Sequence, residues 1–412
     1  MTVLRAAGIA VGWGVGLIWA ARTVGWLRGM SRLPDLLQQA PVATHGRLSV
    51  IVPARNEGEA VAAGLRSLLA SKGVDLEVIA VDDRSTDETG AVMDSIQTDA
   101  LVRAPSATGV TYVVEHVREL PAGWLGKPHA MARGAGLATG EWLLFTDGDV
   151  VFAEDTLARA LSYIESEHAD HLLVVPTAVS RSAGEAMMLP FLYVLSIWGP
   201  RLWRMSDPRS RDGVGVGAFQ LMRRATYEKV GGWERLRMEV LEDVRMGYLI
   251  KQAGFAMRVA TGRNLVRIRW AHGAWGVVTN LTKNVFAAFR FRLGWMVAGT
   301  VATAVLCLLP FAGLAFGLVG NRTWDRTWDR AWLWPNLLSI GSLATLYWRY
   351  RRFADPNGAA TMLWLLAFPL AAVIFVYAMV RSTVLTLVRR GVVWRGTFYP
   401  LKELREHAGP LR

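Results

Sequence analysis

Residues 144–150 read Leu-Phe-Thr-Asp-Gly-Asp-Val. An apolar run ends here in two aspartates, Asp147 and Asp149, separated by one glycine. An Asp-Gly turn after a strand is common and has little functional meaning by itself. Two carboxylates at the end of a buried strand nevertheless provide the hard oxygen ligands that Mg²⁺ and Mn²⁺ prefer, with water and substrate phosphates completing the shell. The segment therefore predicts a divalent cation, Mg²⁺ or Mn²⁺, at a strand end.

Short β-branched runs alternate with helix-like stretches between residues 48 and 270. This alternation predicts an α/β fold with a mostly parallel sheet and helices on both faces. Ligands of such sheets bind at the carboxyl ends of the strands. Strands are expected at Leu48–Val52, Leu76–Val81, Val110–Val114, Trp142–Thr146, Leu172–Val175 and Leu265–Trp270. Helices are expected at Glu57–Leu69, Asp87–Ile96, Lys127–Ala138 and Asp155–Ser166.

The first two predicted strands also end in polar residues, 53–57 reading Pro-Ala-Arg-Asn-Glu and 82–88 reading Asp-Asp-Arg-Ser-Thr-Asp-Glu. Helix capping accounts for part of both segments, with Asn56 and Glu59 in the first and a Ser85–Glu88 capping box in the second. For Asn56, a cap and a ligand role are equally good interpretations. Two adjacent carboxylates are harder to explain by capping, because like charges are costly unless something neutralises or hydrogen-bonds them.

These strand ends are followed in order by further motifs: Gly-Lys-Pro-His-Ala at 126–130, Gly-Ala-Phe-Gln-Leu-Met-Arg-Arg at 217–224, Gly231-Gly232, and Leu-Glu-Asp-Val at 241–244. Each motif alone is weakly specific, but the ordered set resembles family 2 glycosyltransferases of the GT-A fold. The resemblance implies a Rossmann-like catalytic domain that transfers a sugar from a nucleotide diphosphate sugar, expected to be a UDP-sugar.

The resemblance also implies roles for individual residues. Pro53, Arg55 and Glu57 would line the nucleotide pocket. Asp83 would bind the nucleobase, expected to be uracil. Lys127 would lie beside the nucleotide, and Asp147 near the ribose or donor sugar. The metal would be bound by Asp149, and in some related enzymes a late histidine, here His272, completes its shell. Asp243 would be the general base.

Two of these roles have structural alternatives. Glu242 and Asp243 also suit a charged helix start, followed by apolar residues at helical spacing. A single histidine after a strand, such as His272, more often has a structural role. The chemistry nevertheless requires a base, because the acceptor hydroxyl must lose a proton as it attacks. Attack opposite the leaving diphosphate predicts inversion at the anomeric carbon.

The composition favours a membrane protein. Hydrophobic residues make up 52% and charged residues 19%, and the mean hydropathy is +0.25. The net charge of +12 and the 18 tryptophans suit a membrane interface better than nucleic acid, which is not an expected partner. The single cysteine, Cys307, excludes an intrachain disulfide framework.

Four stretches are candidates for membrane spans: Val3–Ala21, Gly294–Gly320, the weaker Leu333–Trp348, and Ala360–Leu387. A retained anchor is favoured over a signal peptide for the first. Three C-terminal spans would leave the basic tail, with Arg389, Arg390, Arg395 and Lys402, on the side opposite a cytoplasmic catalytic domain, against the positive-inside tendency. Either the weak stretch does not cross or the last one folds back. The expected organisation is therefore an anchor at 1–28, the catalytic domain at 45–275, an interfacial helix at 276–296, membrane helices at 297–390 and a basic tail at 391–412.

Two further stretches suggest a lipid acceptor. Met187–Trp203 is apolar and aromatic, and Thr282–Met296 has an apolar stripe that includes Phe286 and Phe289, as in a helix lying on a membrane. The Gln/Arg-x-x-Arg-Trp motif of processive polysaccharide synthases is replaced by the differently spaced Arg290–Trp295.

The layout, including the final Trp394–Tyr399 segment, resembles that of bacterial carotenoid and hopanoid glycosyltransferases. The resemblance implies a multi-pass protein of the cell membrane. One alternative is a polysaccharide or polyprenyl-phosphate sugar transferase of the same family. Another is a non-enzymatic membrane protein, but the presence of Asp83, Asp147, Asp149 and Asp243 argues against it.

Overall fold

A computed structural model describes residues 2–42, 46–103, 109–320, 326–354 and 359–409. The chain forms two compact units, each built from separate stretches of sequence. Unit 1 consists of Met1–Ser31, Ser180–Arg201 and Trp270–Arg389, and unit 2 of Arg32–Val179, Leu202–Arg269 and Arg390–Arg412.

The strands of unit 2 form three sheets. Their bounds are β1 Leu48–Ala54, β2 Leu76–Asp83, β3 Val110–Val117, β4 Trp142–Phe145, β5 Val150–Phe152, β6 His171–Val175, β7 Thr177–Ala178, β8 Gln220–Arg223, β9 Met257–Thr261, β10 Val266–Ile268, β11 Gly391–Trp394 and β12 Thr397–Pro400. The main sheet has the order β3-β2-β1-β4-β8-β6-β9, in which β8 alone is antiparallel to its neighbours. β5, β10 and β7 form a small second sheet, and β11 pairs with β12.

The helices of unit 2 are α2 Gly58–Leu69, α3 Thr89–Arg103, α4 Gly126–Leu137, α5 Thr156–Ser166, α7 Arg224–Lys229, α8 Glu242–Gln252 and α13 Leu401–His407. Those of unit 1 are α1 Thr2–Met30, α6 Ala183–Leu195, α9 Gly273–Ala288, α10 Leu293–Gly320, α11 Arg326–Ala354 and α12 Phe368–Arg389. The fold of unit 2 is the predicted α/β fold with a mostly parallel sheet, and the six predicted strands are present within a few residues of their expected bounds.

The capping predictions were wrong at both strand ends. The backbone of Asn56 is left-handed (φ 54°), and its side-chain oxygen accepts a hydrogen bond from the Thr86 N–H at 2.8 Å instead of capping α2. Ser85 Oγ accepts from the Asn56 N–H at 3.1 Å. Thr89 Oγ1, on the first residue of α3, accepts from the Glu57 and Gly58 N–H groups, both at 2.8 Å, and so satisfies the start of α2. The polar residues therefore tie the ends of β1 and β2 together.

Unit 1 is a helical unit. Among the described residues of this unit, three helices are long and apolar enough to cross a membrane: Ala6–Met30, Leu293–Leu318 and Phe368–Arg389. Gly8, Gly12 and Gly16 face α11, where a Cβ on Gly16 would lie 2.7 Å from the Pro335 carbonyl oxygen. Small residues at this spacing allow close approach of membrane helices. The weak stretch Leu333–Trp348 lies inside α11, which at 29 residues is long enough to span a membrane but is not apolar enough over its described residues.

Two expectations about unit 1 were wrong. Thr282–Met296 is not one helix, because α9 ends at Ala288, and Arg290 and Phe291 have left-handed backbones before α10 begins. Phe286 is fully buried, and its N–H donates to Ser382 Oγ of α12 at 3.1 Å, so it packs in the interior of unit 1. The stretch Met187–Trp203, expected within the catalytic domain, belongs to unit 1 as far as Arg201.

The C-terminal segment also differs from the expected basic tail. The chain turns into β11 and β12 and then α13, with Leu401 and Leu404 buried. These residues belong to unit 2, although they follow the last helix of unit 1 in sequence. Sequence patterns missed the hairpin because its strands are four residues long and separated by Arg-Gly rather than a common turn pair.

Candidate active site

The end of β4 and the segment before β8 bring two aspartates into one site. Thr146 Oγ1 donates to the Ala218 carbonyl oxygen at 2.8 Å, and the Asp147 N–H donates to the Gly217 carbonyl oxygen at 3.1 Å. The Gly217 N–H donates in turn to Asp243 Oδ2 at 2.8 Å. A Cβ on Gly217 would lie 2.7 Å from Asp147 Oδ2, so a side chain here would displace the carboxylate. One glycine therefore links Asp147 to Asp243.

Lys127 lies among these carboxylates. It is the second residue of α4, and its Nζ lies 2.6 Å from Asp147 Oδ1 and 2.9 Å from Glu242 Oε1. Burial alone would lower the pKa of Lys127, but the carboxylates of Asp147, Glu242 and Asp243 outweigh burial and raise it. Lys127 is therefore a fixed cation that holds the strand end and the start of α8 together.

Asp243 has the electrostatic properties of a base. Burial, reinforced by the neighbouring Glu242 carboxylate, raises the pKa of Asp243 to about 6, while Lys127 opposes the rise. The Asp243 Oδ1 atom accepts from the Val244 N–H at 2.7 Å, which fixes the carboxylate. A carboxylate with a pKa near 6 is mostly ionised at neutral pH, yet it accepts a proton more readily than an ordinary aspartate.

Asp149 and Glu57 form a second acidic group. Burial, together with the Asp147 and Glu57 charges, raises the pKa of Asp149 to about 7. Burial likewise raises the pKa of Glu57, against the effect of Arg395. Glu57 Oε2 is buried with no hydrogen-bond partner and lies where a Cβ of Gly148 would be, so it abuts the Asp147–Asp149 turn.

These carboxylates fit a divalent cation, which would relieve their repulsion and partner the unsatisfied Glu57 oxygen. Within the described ranges, no group of three or more histidine, cysteine, aspartate or glutamate residues is spaced to hold a metal ion. A cation here would thus need further oxygens from water and a diphosphate, as Mg²⁺ commonly does.

The two carboxylates at the end of β2 have different surroundings. Asp82 accepts hydrogen bonds from the Ser85 N–H at 3.0 Å and pairs with His116 Nδ1 at 3.1 Å, so it is a structural residue. Asp83 is buried beneath the start of α4 and pairs with Arg84 Nε at 2.8 Å. Gly126 allows this packing, because a Cβ there would clash with Asp83 Oδ2.

Seven of the nine predicted site residues meet within unit 2 along the carboxyl ends of β1, β2 and β4. The acidic cluster consists of Glu57, Asp147, Asp149 and Asp243, with Lys127 beside them. Two further residues, Arg55 and Asp83, lie on the β2 side near Arg84. Pro53 is buried in β1 opposite Val81, so it shapes the strand end. His272 precedes α9 in unit 1, without a side-chain capping bond, and its role as a metal ligand stays a prediction.

Three functional candidates were not assigned from the sequence. Glu242 was interpreted only as a helix start, but it is the second partner of Lys127. Arg395 reaches Glu57, with 2.6 Å between its Nη2 and Oε1, and Tyr399 Oη accepts from the Gly126 N–H at 3.2 Å. The resemblance of the Trp394–Tyr399 segment was the available signal for the last two.

A model described as "Glycosyl transferase family 2" matches residues 49–231, which include β1, β2, β4 and the Asp147–Asp149 turn. Residues 49–231 therefore match the family 2 glycosyltransferases, and the chain is a glycosyltransferase. The match ends before Asp243 and the C-terminal hairpin.

Curated relatives extend the similarity over more of this glycosyltransferase. A 4,4'-diaponeurosporenoate glycosyltransferase of Staphylococcus aureus strain MRSA252 is 24% identical over 367 residues, covering 87% of this chain and 90% of the relative. The protein of the same name from strain USA300 is 26% identical over 227 residues, or 55% of this chain and 56% of the relative.

Solved structures are also similar. Mannosyltransferase PcManGT from Pyrobaculum calidifontis, in complex with GDP-Man and Mn²⁺, is 18% identical with a TM-score of 0.48, covering 94% of this chain and 99% of that chain. S. aureus TarS is 16% identical with a TM-score of 0.40, and the similarity covers 80% of this chain and 54% of that chain.

We expect Lys127→Gln to move the acid limb of the activity–pH profile to higher pH. Lys127 lowers the pKa of Asp243, so its loss should raise that pKa above about 6. A base with a raised pKa stays protonated, and therefore inactive, up to a higher pH. The measurement is turnover between pH 5 and 9 at saturating donor, with Lys229→Gln, an exposed residue of α7, as the charge-matched control. An acid limb at the wild-type position in Lys127→Gln would show that this cation does not tune the base.

Proposed function

We propose that the enzyme transfers a sugar, with inversion, from a nucleotide diphosphate sugar to a hydroxyl or carboxyl of a carotenoid- or hopanoid-type membrane lipid. The observation that carries the proposal is the joining of Asp147, Lys127 and Asp243 at the carboxyl end of β4. This arrangement supports a base beside a charged pocket suited to a diphosphate leaving group.

The donor would bind across the ends of β1 and β2. Asp83 would face the nucleobase, expected to be uracil, and Arg55 and Arg84 would lie on the nucleotide side of the pocket. Support comes from the buried Asp83 beneath the start of α4. The amino end of a helix favours anionic ligands, so the amino end of α4 suits a phosphorylated donor.

Asp149 would hold a Mg²⁺ or Mn²⁺ ion, with Asp147 and Glu57 nearby and His272 as a further candidate ligand. When bound, the ion supplies Lewis-acid stabilisation of the leaving diphosphate. Support comes from the raised pKa values of Asp149 and Glu57, which result first from burial and then from neighbouring carboxylates, so a bound cation would stabilise the ionised forms of both groups.

Asp243 would accept the acceptor proton. The acceptor oxygen attacks the anomeric carbon, its new bond forms as the bond from that carbon to the diphosphate oxygen breaks, and Asp243 takes the proton of an attacking hydroxyl. The Gly217 and Val244 N–H groups hold the carboxylate in one orientation. Between turnovers, Lys127 would stabilise the ionised carboxylates of Asp243 and of Asp147 beside it.

The acceptor proposal is supported by the relative named for 4,4'-diaponeurosporenoate, which aligns over most of both chains, and by the apolar helices of unit 1. A polysaccharide or polyprenyl-phosphate acceptor is the second candidate. An enzyme anchored where its lipid acceptor is concentrated avoids the low aqueous concentration of that acceptor and limits its orientation.

The enzyme would be a multi-pass protein of the cell membrane with unit 2 in the cytoplasm. A compact unit lies on one side of a bilayer, so residues 180–201 and 270–389, which leave unit 2 and return to it, must each cross an even number of times. Two helices qualify as spans among the described residues of 270–389, and this number satisfies the requirement. The basic segment with Arg390, Arg395 and Lys402 then shares the cytoplasmic side with the catalytic residues, as the positive-inside tendency favours.

We expect membranes containing the enzyme to transfer label from a nucleotide sugar into extractable lipid, and to lose this activity on chelation. Membranes would be incubated with labelled UDP- and GDP-sugars, and the lipids analysed by mass spectrometry. Label in a carotenoid- or hopanoid-type lipid supports the proposal, whereas label in a water-soluble polymer or a polyprenyl phosphate supports the second candidate. Full activity after exhaustive chelation would contradict the metal assignment.

Asp243→Asn should retain nucleotide binding and lose most turnover. Asparagine is nearly isosteric but cannot take a proton, and general-base catalysis contributes about 10²–10⁴-fold. Nucleotide affinity and turnover would be measured separately. Asp212→Asn, at another aspartate of unit 2 that is buried, is the matched control for changing an aspartate to its amide. Near-normal turnover in Asp243→Asn would mean that another group is the base.

We expect cysteines placed just after α1 and in α13 to be labelled from the same, cytoplasmic side. In a Cys307→Ser background, Ser31→Cys and Lys402→Cys place single thiols after α1 and in α13. A membrane-impermeant maleimide should label both in inside-out vesicles and neither in intact cells. Opposite labelling of the two sites would refute the even number of crossings, and labelling of both in intact cells would refute the cytoplasmic location.

A further inference from the structure

The turn of the C-terminal hairpin has an arginine at a position where the backbone is left-handed. The β11–β12 register leaves Arg395 and Gly396 as a two-residue turn, and both have positive φ values, 48° and 78°. Such turns favour Asn-Gly or Gly-Gly, because a long side chain rarely adopts a left-handed backbone. A strained residue held by its surroundings is a reason to look for a function of its side chain.

The hairpin is fastened to the catalytic elements of its own unit. Tyr399 is buried on β12, and its Oη accepts from the Gly126 N–H at the start of α4, the helix that carries Lys127. Arg84 is also within electrostatic range of Tyr399. These contacts fix the turn relative to the ends of β1 and β2.

The turn directs positive charge into the site. Arg395 Nη2 lies 2.6 Å from Glu57 Oε1, and the Arg395 side chain keeps about a third of its surface exposed. Gly396 lies beside Arg55, with 4.0 Å between the position of a Cβ and an Arg55 Nη atom. Arg55 is also within electrostatic range of both Arg84 and Arg395. Three guanidinium groups therefore converge where β1, β2 and the hairpin meet.

We propose that Arg395 binds the diphosphate of the donor, which makes the C-terminal hairpin part of the active site. This inference rests on the proposed nucleotide-sugar donor. Guanidinium groups match phosphate oxygens with two parallel hydrogen bonds, and an arginine that is partly exposed beside Arg55 can reach a bound anion. Glu57 holds the side chain in the site when the donor is absent. In the competing structural explanation, the Arg395–Glu57 pair only fastens the end of the chain to unit 2.

The test is the preference of the full-length, detergent-solubilised enzyme for nucleoside diphosphates over monophosphates. Binding of UDP, UMP, GDP and GMP would be measured by titration calorimetry with Mn²⁺ present. Arg395→Gln should weaken binding of the preferred diphosphate by about tenfold to a hundredfold, the range for a lost hydrogen bond to a charged group. Binding of the matching monophosphate, which lacks the second phosphate, should be unchanged. Arg395→Lys, which keeps the charge but not the fork, should give an intermediate loss.

Lys402→Gln, in the same segment, is the matched control and should leave both affinities unchanged. If Arg395→Gln does not fold, a reduced diphosphate preference in Arg395→Lys still supports the inference. An unchanged preference in a folded Arg395 variant overturns it. Equal weakening of both nucleotides with a lower unfolding temperature also overturns it, in favour of the fastening role. Wild-type enzyme that binds neither UDP nor GDP would instead refute the proposed donor.

Discussion

The interaction on which the site depends is that of the Lys127 ammonium with carboxylates from two separate elements. Asp147 follows β4, whereas Glu242 and Asp243 begin α8. Without a cation, these buried negative charges would repel one another, and the cost of leaving a buried carboxylate unpaired is several kcal/mol, on the order of 3–5 for a broken pair. Lys127 comes from a third element, α4, so the position of one side chain couples the nucleotide side of the sheet to the side that holds the proposed base.

The sheet topology explains why these elements meet. β1, β2 and β4 are parallel, so their polar ends share one edge of the sheet. β8 then runs antiparallel between β4 and β6, and residues just before it pass the end of β4, where Gly217 bonds to Asp147 and Asp243. A parallel strand at that position would put its starting residues at the opposite edge. The reversal of direction thus places Gly217, which hydrogen-bonds to Asp243 of α8, at this edge.

Much of unit 2 could be predicted because its signals are local in sequence. The β-branched runs predicted the strands, and the polar residues after them predicted the sheet edge at which the candidate site residues meet. The partners of these residues could not be predicted in the same way. Asn56 and Ser85 have the composition of helix caps, but they bond to each other's loops, 29 to 30 residues apart. Which of two sterically allowed bonds forms depends on strand pairing, and single-residue preferences do not contain that information.

The same limitation explains the errors in the membrane region and at the C-terminus. The stripe containing Phe286 has helical spacing, but a buried face and a membrane-facing face produce the same spacing, and here Phe286 packs under α12. The basic tail has the charge of a cytoplasmic extension, yet it folds back into unit 2.

Arg395 of this segment adds a cation to an edge that already carries more carboxylates than Lys127 alone can balance. The acidic cluster can therefore draw its neutralising charge from α4, the hairpin and a divalent ion. Of these, Lys127 and Arg395 are covalently part of the chain, so the repulsion that a diphosphate would otherwise meet is partly offset before any donor binds.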